Sequence, residues 1–357
     1  MSRESHESVP LSNQPGPAKG TAGSKKTKAR KEARKVYAAL DLGTNNCRLL
    51  IAEPEKSSFR VVDAFSRIVR LGEGVSRHGC LSEEAMERTI SAVRICASKM
   101  RNRGVTRARC VATGACRVAG NTPEFTARVA RDTGVELETI SGEEEARLAV
   151  AAAAQLFDYD HRYALIFDIG GATTELIWLR LSSGRQVTVI DTTSLPCGVA
   201  VLAERHAKAK TACHPFDNMV GDAEHLLNKF EVRNEIGATV GKAKVQLLGT
   251  SGTTTTLAGI HLGLKRYERS KVDGMRLRRS DLTAVIRSVR EMSADALAAN
   301  GCVGKQRADW VLPGAAILQA ISNRWPCRDL TVADRGIRDG ILRDMIGADG
   351  GAQSAHV

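Results

Sequence analysis

The feature that most constrains this chain is a motif that occurs twice. Ala39-Leu40-Asp41-Leu42-Gly43 recurs 127 residues later as Ile166-Phe167-Asp168-Ile169-Gly170, and Leu49-Leu50-Ile51 recurs as Leu176-Ile177-Trp178. Each copy is an apolar strand, a polar glycine-containing turn and a second strand, so each half opens on a β-hairpin. Two equivalent halves that each offer such a turn can face each other across a cleft. Between the copies, periodicity alternates: strand-like at 59–70, helical at 82–100 with Gly104 as its stop, then strand, helix, strand and helix at 109–113, 123–131, 135–140 and 142–156. That alternation predicts α/β units around mixed sheets. Further on, a strand at 245–248 runs into Gly249-Thr250-Ser251-Gly252-Thr253 and a helix from 254; helices follow at 280–292, 307–322 and 336–345, with a strand at 329–333.

Charge divides the chain unevenly. Residues 1–35 carry nine Lys/Arg against three Asp/Glu, half of the formal +12, and hold no aromatic residue. They read as a disordered basic arm without the apolar core of a secretory signal. The remaining +6 suits a polyanionic partner. No run reaches the roughly 18 apolar residues of a membrane span, so no membrane partner is expected. With only 4% aromatic residues the chain lacks the platforms of single-strand binders, and no specific nucleic acid is expected. The nine cysteines show no two-residue spacing, which suits reduced thiols in a cytoplasm.

Glycine-rich turns at strand ends let backbone amides approach anionic oxygens, and a helix starting directly after a strand adds its dipole. Asp41 and Asp168 end strands beside such turns, and Glu175 closes the second hairpin; there they either cap turns or act as hard oxygen ligands for Mg²⁺ or another divalent cation. Glu143, Glu144 and Glu145 crowd one helix start, where they either complement the dipole or offer a carboxylate to orient a water. Arg48 and Arg117 near turns suit phosphate oxygens.

Together these residues resemble the exopolyphosphatase/guanosine pentaphosphate phosphatase (Ppx/GppA) family within the actin, sugar kinase and Hsp70 superfamily, over roughly residues 36–346. Asp41 to Arg48 looks like the first phosphate loop, Ala112 to Arg117 the Ala-Thr…Arg motif, Ser141 to Leu148 the Ser-Gly-x-Glu-Glu-Ala segment, Asp168 to Glu175 the second phosphate loop, Gly249 to Thr253 the later glycine loop, and Ala333 to Arg338 the closing segment. The resemblance implies an α/β fold of two actin-like (ribonuclease H-like) domains with a cleft between them. The first spans 36–160, the second 161–330; a closing segment and helix at 331–347 pack back on the first, and 348–357 form a flexible tail. It implies Glu145 as the catalytic residue. Gly43, Thr44, Asn45, Asn46, Arg48, Arg117, Gly170, Gly171, Ala172, Thr173, Ser251, Gly252 and Thr253 would bind phosphate. Asp168 and Glu175 would hold the metal, with Asp41 as a further candidate. The expected reaction is release of the terminal phosphate of polyphosphate by a cytoplasmic hydrolase. Guanosine pentaphosphate hydrolysis, non-catalytic binding of polyphosphate or guanosine tetraphosphate, and an ATP-dependent kinase are the alternatives, and a homodimer is admitted. Ala172 stands where the family usually has a third glycine, which would weaken binding if that position needs positive φ or very close phosphate approach. Longer members also continue into a helical C-terminal domain.

Overall fold

A computed structural model describes residues 35–55, 58–206 and 215–350. The basic arm up to residue 34 and residues 351–357 lie outside the described residues. The two hairpins expected from the repeat are present, and each seeds a sheet. In the first, β1 (Tyr37–Leu42), β2 (Asn46–Glu55), β3 (Ser58–Ile68), β4 (Arg107–Ala112) and β5 (Glu138–Thr139) take the order β3-β2-β1-β4-β5. In the second, β6 (Tyr163–Ile169), β7 (Thr174–Ser182), β8 (Gln186–Leu195), β9 (Val245–Thr250), β10 (Arg276–Arg278) and β11 (Asp329–Val332) take the order β10-β11-β9-β6-β7-β8.

The repeat therefore extends well beyond the matching letters. Both sheets run antiparallel through their first three strands and parallel through the next two. Both place a register shift at the corresponding point of the second strand, between Ile51 and Ala52 and between Trp178 and Leu179. Such a bulge adds local twist. The turns are closed alike, by Gly43 N–H donating to the Asn46 carbonyl at 2.9 Å and Gly170 N–H to the Thr173 carbonyl at 2.8 Å.

Several elements depart from the sequence reading. The strand expected at 135–140 pairs only over Glu138–Thr139, because Val135 and Ile140 spend their side chains in two different apolar clusters. Strand β8 and the helix Pro215–Asn234 carried no clear sequence signal. Helix Ile337–Gly350 runs past its expected end, so 348–350 belong to it rather than to a tail. There Asp349 accepts a hydrogen bond from the Tyr37 hydroxyl at 2.8 Å and pairs with Arg107 at 2.5 Å. Further up, Ile341, Leu342 and Met345 join Tyr37, Ala39, Leu50 and Leu148 in one buried cluster, which fixes the helix against the first sheet. Among the described residues, no helix is long and apolar enough to cross a membrane.

Candidate active site

Every residue expected to act in catalysis, phosphate binding or metal binding lines one cavity of about 640 Å³. The two hairpin turns form opposite parts of its wall and touch. Built on Gly171, a Cβ would fall 2.0 Å from Asn45 Nδ2, and one on Gly198 would fall 2.4 Å from the Gly171 and Ala172 backbone. Close approach thus demands glycine at 198, where the neighbour is backbone, while at 171 the end of the Asn45 side chain would have to move. Ala172 does not adopt positive φ, so no backbone strain arises from replacing the third glycine. The loop is braced from behind by Val199 and Ala200, whose amides donate to the Gly170 and Gly171 carbonyls at 3.0 and 2.9 Å.

In the first turn the Thr44 hydroxyl accepts a hydrogen bond from the Ala115 amide at 3.2 Å, and the Asn45 carbonyl accepts from Val69 and Arg70 at 2.8 and 3.1 Å. The expected loop at 249–253 is instead a direct junction: β9 ends at Thr250 and a helix runs over Ser251–His261. Its N-cap makes no side-chain hydrogen bond, so the first amides are left for a ligand. Ser251 holds φ of 92° and its buried Oγ has no partner among the described residues.

The helix Gly142–Ala153 sorts its three acids. Ser141 Oγ caps it by accepting from the Glu144 amide at 3.1 Å. Glu144 pairs with Arg147 at 2.7 Å and Arg109 at 2.9 Å, a structural role, and Glu143 does not line the cavity. Glu145 does, and it pairs with Arg117. Burial raises its proton affinity, the Arg117 charge opposes this, and Asp41 and Asp168 add to it.

At the base of the cavity the two sheets present contrasting chemistry at corresponding positions. Asp41 lies across from Arg48 on the first hairpin; Asp168 lies across from Glu175 on the second. Burial raises both aspartates, with Arg48 countering it in each case. Glu175 is pushed up to about 7, by burial first and then by the Asp168 charge. Two enclosed carboxylates that resist ionising together fit a divalent cation. Among the described residues no three His, Cys, Asp or Glu side chains cluster as a metal site.

The sequence reading missed several residues of this wall. Arg67, Gln306, Arg307, Trp310 and Arg338 also line it. Arg338 lay within the closing segment that had been noted, whereas Arg67 and Arg307 carry no signal that separates them from other surface arginines.

Two related sheets sharing one central cavity, with a hairpin turn from each in its wall, make this an actin-like α/β protein. The chain belongs to the Ppx/GppA phosphatase family, whose sequence model matches residues 50–348, and it is accordingly of the phosphate-hydrolase class. The first hairpin turn precedes that match, and its place in the cavity rests on the structure alone. The fold is similar to that of the Aquifex aeolicus Ppx/GppA family member, with 27% identity over 89% of this chain and 99% of that one and a TM-score of 0.72. A structure described as an exopolyphosphatase-like protein shows 29% identity over 87% and 97% of the two chains, TM-score 0.73. An exopolyphosphatase from Cytophaga hutchinsonii shares the fold at 21% identity, covering 88% and 98%, TM-score 0.74.

Proposed function

We propose that the chain is an exopolyphosphatase, hydrolysing the terminal phosphoanhydride of inorganic polyphosphate. The observation that carries this reading is the position of Glu145, the one acid of its helix start that faces a cavity walled by both hairpin turns and several arginines. The similarity to an exopolyphosphatase-like protein at 29% identity supports it. So do Arg48, Arg67 and Arg307, cavity arginines that form no ion pair among the described residues, which suit a run of phosphates.

On this reading the terminal phosphate sits between the turns and the first amides of helix Ser251–His261. It competes with Glu145 for Arg117, which frees the Glu145 carboxylate to take a proton from water. The water oxygen forms the new bond to phosphorus, the bridging P–O bond breaks, and its electron pair leaves on the shortened chain. Asp168 and Glu175 would hold Mg²⁺ or a similar cation, which would offset the charge of the phosphates. The chain's own contribution is positioning and preorganised charge. All eight described cysteines are free and seven are buried, which suits a reducing cytoplasm.

Trp310 favours a second reading, hydrolysis of the 5′ γ-phosphate of guanosine pentaphosphate, because it offers an aromatic face for a base beside the phosphate loops. Phosphate release from polyphosphate and from guanosine pentaphosphate, measured side by side with and without Mg²⁺, tests both. Faster turnover of polyphosphate supports the first reading; turnover of the nucleotide alone replaces it with the second.

A further inference from the structure

Arg338, in the first turn of helix Ile337–Gly350, is set apart from its neighbours by what it lacks. Arg335 pairs with Asp273 at 2.9 Å, and Arg269 pairs with Asp339 at 3.0 Å. Arg338 makes no ion pair among the described residues; its one protein acceptor is the Leu49 carbonyl at 3.4 Å, near the limit of a hydrogen bond. Its guanidinium lines the cavity, and burial depresses its pKa, with the nearby Arg48 charge adding to the effect. An enclosed guanidinium with most donors unused costs stability unless an anion meets it.

Three of the cavity arginines differ in what faces them. Arg117 is bound to Glu145, whereas Arg48 and Arg338 both act on Asp41. Arg48 also acts on Asp168, and Arg338 on Asp339 and Asp334, yet neither guanidinium forms an ion pair among the described residues, so both keep donors for an anion in the cavity. We propose that Arg338 is a substrate ligand which, with Arg48, binds the penultimate phosphate, the group that departs when the terminal phosphate passes to water. This rests on the polyphosphatase reading and adds that Asp41 orients the two arginines rather than holding the metal.

The test compares Arg338→Met with the parent chain, both carrying Glu145→Gln to prevent turnover. Calorimetric titration with inorganic tripolyphosphate should show affinity weakened about 10- to 100-fold, while orthophosphate, which needs only the terminal position, binds nearly as before. The unliganded variant should melt at the same temperature or higher, since it has lost an unpaired enclosed charge. Arg338→Lys, which keeps the charge without the fork, should fall between the two in affinity. Tripolyphosphate affinity equal to the parent's, in a variant that melts lower, would make Arg338 a structural residue and overturn the proposal alone. A parent chain that binds no tripolyphosphate would overturn the functional reading with it.

Discussion

Replacing Glu175 by glutamine should stabilise the unliganded protein at alkaline pH. Glu175 titrates near 4.5 when unperturbed and near 7 in the fold, raised by burial, then by Asp168 and, less, by Glu145. A carboxyl raised by folding contributes stability that is fully present below pH 4.5 and is lost as pH climbs through 7. At about 1.4 kcal/mol per pH unit, the loss approaches about 3 kcal/mol above pH 8. Glutamine is neutral throughout and can still accept the Ser194 hydroxyl that Glu175 Oε1 accepts at 3.0 Å. Asp41, Asp168 and Glu145 are also raised and are common to both chains; because Asp168 and Glu145 act on Glu175, the difference reports Glu175 together with its coupling to these two. Urea denaturation with chelator present should give equal stabilities near pH 4.5 and a variant about 2–3 kcal/mol more stable at pH 8.5. Mg²⁺ should then stabilise the wild type more than the variant. A variant that is less stable at pH 8.5, or a difference independent of pH, would refute the reasoning.

Two further outcomes follow from the same wall. Asp168→Ala should raise the Mg²⁺ concentration needed for half-maximal phosphate release, and an unchanged metal titration would remove Asp168 from the cation site. Gly198→Ala puts a Cβ 2.4 Å from the backbone of Gly171 and Ala172, which must then shift; the change should cost about 1–3 kcal/mol in denaturation and weaken tripolyphosphate binding in proportion, whereas wild-type values for both would show that the loop does not depend on that contact.

The hairpins were legible because alternating apolar strands and small turns at a fixed offset leave a pattern that needs no tertiary information. The same holds for the helix with Ser141 as its cap. What the pattern does not carry is partnership. Helical pattern alone does not separate Glu145, which faces the cavity, from Glu144, which pairs with Arg147 and Arg109; only the family resemblance pointed to Glu145. Nor does pattern distinguish Arg338, which forms no ion pair among the described residues, from the paired Arg335 three residues earlier. The junction at Thr250 and Ser251 was read as a loop because small residues favour turns, whereas the strand and helix here meet without one. The resemblance raised a question of positive φ at Ala172 that only its backbone conformation answers, and the need for glycine at 198 is set by contact with the loop backbone itself.

The central claim is that Glu145 activates water against a terminal phosphoanhydride in this cavity. Phosphate release from polyphosphate by the full chain and by Glu145→Gln, with tripolyphosphate affinity measured in parallel, tests it most directly. The account predicts orthophosphate released singly from chain ends, turnover reduced about 100-fold or more in the variant, and affinity nearly unchanged. Wild-type turnover in Glu145→Gln, or cleavage within the chain rather than at its end, would contradict it.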